Sequence, residues 1–447
     1  MIPGRGTLLM YGASGFPLAL LGQPLYVYLP TYYAEDLGLG LAATGGILLL
    51  VRLFDLLIDP LIGHLSDRLN WHGSRRRSSM WLGMPLLLLG AAMLLQPAAG
   101  AGSGYLLGWS LLTFLGWTLI AIPHTAWGAD IASDPHQRSR LSVAREGFVI
   151  VGTLTALALP FLAGTTAAIG DTLSLLATML LISLPITLVL TLFVPERPPR
   201  PAHTAQHNGL QALYHNRPLR RLLLGYFLNN LANALPATLF LLFVNHRLEA
   251  PEWTGTLLLV YFASGVLALP LWLALARRRG KVYAWSLSMT LASVAFLAVP
   301  LLGPGDIQLF LLVCLISGLS LGADTALPAS LQADVGDIDH RLSGRQRTGL
   351  LYGLWGVITK LALALSVGIA FPLLKLAGFE PGSPPADSAL LALSLLYGLV
   401  PVVLKLGCLI LLRGFTLEGE RHETLTHSTA VATANDPAHT RMQLNES

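Results

Sequence analysis

A chain of 447 residues with 53% hydrophobic and only 12% charged side chains, where a soluble domain carries about 25% charged, cannot bury its apolar surface in one water-soluble core. Its mean hydropathy is +0.62 and its pI near 9.1, but the basic residues behind that pI collect between apolar runs. There they serve as topological signals and contacts for anionic membrane lipids, so no nucleic-acid partner is expected and a multi-pass integral membrane protein is.

Crossing about 30 Å of hydrocarbon takes roughly 20 apolar residues. Twelve such runs are predicted, at 8–34, 41–66, 79–99, 104–132, 142–167, 171–194, 218–245, 253–276, 282–302, 307–333, 348–374 and 388–412. The first holds Gln23, Tyr26 and several prolines and lacks the short apolar core and cleavage site of a signal peptide. Arginines follow the even-numbered runs: Arg68 and Arg75 to Arg77, Arg138 to Arg145, Arg197 to Arg221, Arg277 to Arg279, and Arg341 to Arg347, whereas the opposite loops hold only Arg247 and Lys375. The positive-inside rule then puts both termini in the cytoplasm, and a bacterial inner membrane is the expected location.

The second run carries Arg52, Asp55 and Asp59, spaced i, i+3 and i+7, which places them along one helical face with leucine, valine and isoleucine on the others. A charge at bilayer depth costs from about 2.5 kcal/mol upward, so such a stripe faces a bundle interior or a wet cavity and marks an ion or substrate path. Two carboxylates one turn apart repel at low dielectric; one takes a proton, or a cation sits between them. H⁺ and Na⁺ both meet that need, the latter as a metal ion bound at Asp55 and Asp59. The alternative is a pair that only holds helices together.

Polar, proline-rich residues 196–216 divide the runs six and six. The chain is therefore read as a six-helix bundle (1–195), a cytoplasmic linker (196–216), a second six-helix bundle (217–413) and a polar, disordered tail (414–447). Gly128-Ala129-Asp130-Ile131-Ala132-Ser133-Asp134 recurs in outline as Gln332-Ala333-Asp334-Val335-Gly336-Asp337, each leaving the fourth run of its half. Duplicated six-helix halves with a mid-membrane site between them are one architecture of secondary transporters. The expected fold is an all-α membrane protein of twelve transmembrane helices in two pseudo-symmetric bundles. Cys314 and Cys408, inside spans, are read as buried small hydrophobes.

Arg52-Leu53-Phe54-Asp55-Leu56-Leu57-Ile58-Asp59-Pro60-Leu61-Ile62-Gly63, with Asp67-Arg68 and Gly73-Ser74-Arg75-Arg76-Arg77 after it, resembles the helix 2 signature of the glycoside-pentoside-hexuronide:cation symporters, a branch of the major facilitator superfamily typified by melibiose permease. Ile122-Pro123-His124-Thr125-Ala126-Trp127-Gly128-Ala129-Asp130 resembles the helix 4–5 signature. Asp334, Gly344, Gly349 and Lys360 resemble the helix 10–11 segment. The resemblance implies the major facilitator fold and cation-coupled uptake. It also implies a coupling set of Asp55, Asp59, Arg52 and Lys360, the lysine facing the aspartates across the cavity. Sugar-transporting members carry an aspartate on helix 1, near Gly15-Phe16-Pro17, and another on helix 4 where this chain has Ala121; without them a proton suits the aspartates at least as well as sodium.

Other polar or flat side chains in the spans are candidate cavity residues: Gln23, Tyr26, His124, Trp127, Asn229, Asn233 and Trp355, with helix packing as the alternative for each. Arg68, Asp130, Asp134, Arg138, Arg145, Asp334 and Arg345 at helix ends are candidates for a cytoplasmic gate of ion pairs. The leading functional reading is H⁺- or Na⁺-coupled symport of a glycoside or related small polar solute by alternating access. A lysolipid-like carrier is the alternative, since losing sugar-gripping carboxylates leaves a greasier cavity. A non-transporting receptor or a membrane enzyme is more distant, because no nucleotide loop, paired Cys/His ligands or nucleophile elbow occurs. No cofactor is expected beyond the coupling ion; the partners expected are a small-molecule substrate and membrane lipids, with no sign of oligomerisation.

Overall fold

The computed structural model describes residues 5–413 apart from 69–74, 99, 132–134, 165–167, 192, 195–216, 344–347 and 381–383. The linker 196–216 and the tail 414–447 thus lie outside the described residues. Within them the regular structure is helical, as it must be where no water is present to bond a free backbone group. Twelve helical segments follow in order. The segment α1 is assembled from Arg5–Gly12, Gly15–Gln23, a π-turn at Pro24–Tyr28, Leu29–Thr31 and a second π-turn at Tyr32–Asp36. Then come α2 (Leu41–Arg68), α3 (Arg75–Leu95), α4 (Ser103–Ile131), α5 (Pro135–Ala163), α6 (Ile169–Thr191) and α7 (Arg217–Leu242, continued by the π-turn Phe243–Arg247). The remainder are α8 (Thr254–Arg279), α9 (Lys281–Leu297), α10 (Ile307–Ser343), α11 (Thr348–Leu376) and α12 (Asp387–Ser394, Leu395–Leu399 and Val400–Leu412).

Ten helices among the described residues are long and apolar enough to cross a membrane. The other two segments are α1 and α5. Between Pro17 and Tyr33 the first carries Gln23, three prolines and four tyrosines, which dilute its apolar stretch; the second starts at Pro135, seven residues ahead of the predicted run at 142, and its first turns carry Arg138, Arg140, Arg145 and Glu146. Similarly α10 runs to Ser343, beyond the predicted end at 333, because its polar continuation keeps helical geometry past the apolar stretch.

Helices α1 to α6 pack among themselves, with α3 on α4, α1 on α5 and α2 on α4; α7 to α12 do likewise, with α8 on α10, α7 on α12 and α9 on α10. The two sets meet where α2 lies along α11, α5 along α8 and α1 along α7. At the end of the molecule away from the termini this seam is tight. A Cβ added to Gly45 of α2 would come within 2.8 Å of the Phe371 Cβ, and one on Gly368 of α11 within 2.7 Å of Leu49, so small residues let the helices close. Gly353 and Gly356, seven and four residues before Lys360 on the same face of α11, have nothing within 4 Å of where a Cβ would sit.

Candidate functional site

On α2, the 3.6-residue period stacks Asp55 and Asp59 one turn apart, and α11 brings Lys360 against both. The Lys360 ammonium lies 2.8 Å from Asp55 Oδ2 and 2.5 Å from Asp59 Oδ2. The Thr118 hydroxyl, on α4, lies 3.0 Å from Asp55 Oδ1 and 3.2 Å from Asp59 Oδ1 as donor. One lysine from the second half therefore bridges two carboxylates of the first, 301 and 305 residues apart in sequence from their partner. The Asp55 side chain is 3% exposed, whereas Asp59 and Lys360 are 27% and 26% exposed, so the group is reachable from one side. Counted formally, two carboxylates share one ammonium. Asp55 Oδ1, Asp59 Oδ1 and the Thr118 oxygen form a hard-oxygen set suited to a monovalent cation or a proton.

Arg52 does not join that group. Its Nη1 donates to the Tyr26 hydroxyl at 3.1 Å, and its guanidinium carbon lies 4.2 Å from the ring centroids of both Tyr26 and Phe114. The i, i+3 spacing sets Arg52 beside Asp55, but Lys360 and Thr118 take the carboxylate while two aromatic faces take the arginine. Tyr26, expected to line the cavity, is thus a holder of Arg52.

Several candidate cavity residues turn out to be packing. His124 is 1% exposed; its Nε2 lies 2.9 Å from the Tyr11 carbonyl oxygen, the Tyr11 hydroxyl donates to the His124 carbonyl at 3.1 Å, and the rings stack at 4.4 Å. This joins α1 to α4 and occupies the Nε2 of a buried imidazole. Trp127 is fully buried, edge-on to Tyr11 and under the Arg77 guanidinium. Trp355 is half-buried and stacks on Tyr226 at 3.6 Å, tying α11 to α7. The gate candidates that can be placed also stay within their halves: Arg145 bonds Glu146 and Thr125, and Asp334 pairs with Lys281 at 2.6 Å. Asp134 and Arg345 lie outside the described residues, as do the side chains of Gln23, Arg68, Asp130 and Arg138.

Asn229 and Asn233 both bond Lys405, and Asn233 lines a cavity beside it. They belong to a second buried charge centre, inside the second half, that sequence reasoning missed. Lys405 of α12, fully buried, donates to Asn229 Oδ1 at 2.9 Å and Asn233 Oδ1 at 2.8 Å and lies 3.6 Å from Asp324 of α10. Asp324 accepts from both asparagine amides, at 3.0 and 2.9 Å, and from the Trp285 indole of α9 at 2.8 Å. A cavity of about 60 Å³ adjoins it, walled by Tyr261, Phe262, Phe296 and Tyr397. The signal that could have found this centre was the one used for α2, a charge inside an apolar run. Thr118 had none, since a lone threonine in a span is ordinary.

The closed end carries one more contact between halves. His246, in the π-turn of α7, lies 2.7 Å from Glu35, in the second π-turn of α1, and its ring meets Phe379 edge-on at 5.0 Å. Sequence reasoning singled out neither.

A family described as MFS/sugar transport protein matches residues 10–419. The chain is 24% identical over 388 residues to the glucuronide carrier protein homolog of Escherichia coli (strain K12), covering 84% of each. It is 24% identical over 463 residues to the sodium-dependent lysophosphatidylcholine symporter 1-A of Danio rerio, covering 92% of this chain and 86% of that one. Among solved structures, the nucleoside transporter NupG superposes with a TM-score of 0.68 over 91% of this chain and 100% of its own, at 12% identity, a likeness of fold alone.

Proposed function

The chain belongs to the family of MFS/sugar transport proteins and is a multi-pass membrane transporter rather than an enzyme, and on that premise we propose that it is a cation-coupled symporter of a glycoside or related small polar solute. The observation that carries this reading is the bridge from Lys360 to Asp55 and Asp59. It spans the two halves at the place where a rocking motion must break or remake contacts. With both carboxylates ionised, the group is one positive charge short; a bound Na⁺ or H⁺ supplies it and loosens the grip on Lys360. Cation occupancy then biases which arrangement of the halves is stable, which is what coupling requires.

In this reading both termini are cytoplasmic, and the end closed by Glu35–His246 and Gly45–Phe371 is the outer one. The gate candidates Arg145 and Asp334 bond within their own halves here. A lysolipid-type amphipath is the second reading, favoured by the absence of a carboxylate near Gly15-Phe16-Pro17 on α1 and at Ala121 to bind sugar hydroxyls.

The test is uptake into proteoliposomes holding the full chain, with a labelled glucuronide, a labelled neutral glycoside and a labelled lysophospholipid under separately imposed Na⁺ and H⁺ gradients. Symport predicts accumulation of one probe above equilibrium under one gradient. Equilibration without accumulation under either gradient contradicts it.

A further inference from the structure

Helices α5 and α6 both pack against α1, and near the end of α1 that begins at Arg5 they leave a hollow of about 460 Å³. Ala13 of α1, Phe148 of α5 and Met179, Ile186 and Leu190 of α6 are among its walls, and every lining residue belongs to the first half. Helix α6 packs on α1, α3 and α5, all of that half. Leu9, which also lines the hollow, is 59% exposed and Ile186 56%, so it opens on the outer surface of the bundle, where lipid lies. Its walls offer a polar solute little. The Thr187 hydroxyl donates to the Leu184 carbonyl at 3.1 Å, and the Ser183 oxygen is buried. Met179 and Leu190 are eleven positions apart, roughly 16 Å along a helix, which is about the hydrocarbon depth of one leaflet. An acyl chain therefore fits lengthwise, with its headgroup at the Leu190 end.

That end carries a positive charge. Arg5 stands one turn ahead of Leu9 on the same face of α1; it is exposed and has no hydrogen-bond or ion-pair partner among the described residues. The acidic side chains of the three helices lie elsewhere. Glu146 pairs with Arg145, and Asp171, Glu35 and Asp36 are at the opposite ends of α6 and α1. A guanidinium at headgroup depth with no carboxylate beside it suits a phosphate, whose oxygens its planar fork matches.

We propose that this hollow binds one anionic phospholipid of the bilayer, an acyl chain lying between α5 and α6 over Ala13 and the phosphate on Arg5. The lipid joins α5 to α6 where the helices alone leave a gap on α1. It is a resident of the first half and not cargo, since no lining residue lies on α2 or α11, which carry Asp55, Asp59 and Lys360. With the termini cytoplasmic it is an inner-leaflet lipid; the site itself stands apart from the symport reading.

The experiment is photo-crosslinking of the full chain in phosphatidylcholine vesicles. They carry a trace of either phosphatidylglycerol or phosphatidylcholine with a diazirine on the acyl chain, and the labelled peptides are mapped. On Leu9 to Phe16 of α1 and Met179 to Leu190 of α6, the phosphatidylglycerol probe is expected to label about five-fold more than the phosphatidylcholine probe, as one basic contact at the headgroup provides. At Leu291 and Val294 of α9, exposed apolar side chains without a basic neighbour in their turns, the two probes label alike. Arg5→Gln brings the probes within about two-fold at the hollow. Ala13→Leu, which fills the floor, lowers labelling by both probes there and leaves α9 unchanged. Because Ala13 is buried and a larger side chain can disturb the packing, Arg5→Gln, at an exposed position, is the deciding variant. Equal labelling by the two probes at the hollow, a preference that survives Arg5→Gln, or the same preference on α9 overturns the proposal. Excess oleoyl lysophosphatidylcholine, a single-chain amphipath, is expected to leave the labelling unchanged; loss of label on its addition makes the hollow a cargo site and overturns the assignment to a bilayer lipid.

Discussion

Asp55, Asp59 and Lys360 on one side and Asp324 and Lys405 on the other are both carboxylate–ammonium groups in the middle of a membrane protein, and they differ in closure, charge and position. Lys405 has each of its donors facing an oxygen, and Asp324 takes three N–H bonds besides. The pair is formally neutral, almost wholly buried and confined to α7, α9, α10 and α12. Lys360, by contrast, serves two carboxylates, is about a quarter exposed, and reaches across the seam. A satisfied network within one rigid half holds that half together; an unsatisfied one between halves responds to an ion. Burial of a charge is common to both, so what separates structure from coupling is the unbalanced charge and the crossing of the seam.

Removing the lysine from each centre breaks the comparison most directly. Lys405→Met leaves Asp324 buried without its cation and is expected to destabilise the chain by about 3–5 kcal/mol. A melt followed with a thiol-reactive dye suits this measurement because Cys314 and Cys408 are free and buried. Adding Asp324→Asn recovers most of that loss if the pair is structural; an undiminished melt in Lys405→Met alone refutes the assignment. Lys360→Met is expected to cost less than Lys405→Met in the same melt, because Asp59 is about a quarter exposed, yet abolish gradient-driven accumulation.

Thr118→Val probes the ion set itself. Losing one hydroxyl shared by two carboxylates is worth about 1.5 kcal/mol, which lowers cation affinity about ten-fold while Thr118→Ser retains it; equal coupling in Val and Ser variants would remove Thr118 from the set. The smallest effect is at the closed end. Glu35→Gln weakens a partly exposed bond to His246 worth about 0–1 kcal/mol, so a thiol probe placed in the outer mouth should label a few-fold faster, with melting unchanged.

Much of this was legible in the sequence. Apolar run length gives most helix positions, because lipid fixes how many residues a span needs, and the i, i+3, i+7 charges of α2 announce an inward face. Helix α5 starts seven residues ahead of its predicted run, because its basic first turns end the apolar stretch without breaking the helix. Residue type gave a poorer account of the cavity. Asparagine, histidine and tryptophan in a span face inward for two different reasons, and here His124 and Trp127 pack while Asn229 and Asn233 ligate Lys405. Which it is depends on contacts between helices far apart in sequence, and periodicity carries no record of them. Lys360 was reached through family resemblance alone, and only the fold shows that it meets both aspartates.

The central claim is that the Asp55–Asp59–Lys360 group converts a cation gradient into solute accumulation. It is tested most directly by comparing Asp59→Asn with the wild type in proteoliposomes, using the labelled probe that the wild type exchanges and measuring counterflow and gradient-driven uptake side by side. The account predicts that Asp59→Asn keeps counterflow, since solute binding and rocking remain, and loses accumulation down to the equilibrium level under both Na⁺ and H⁺ gradients. Accumulation at the wild-type level in Asp59→Asn would contradict it.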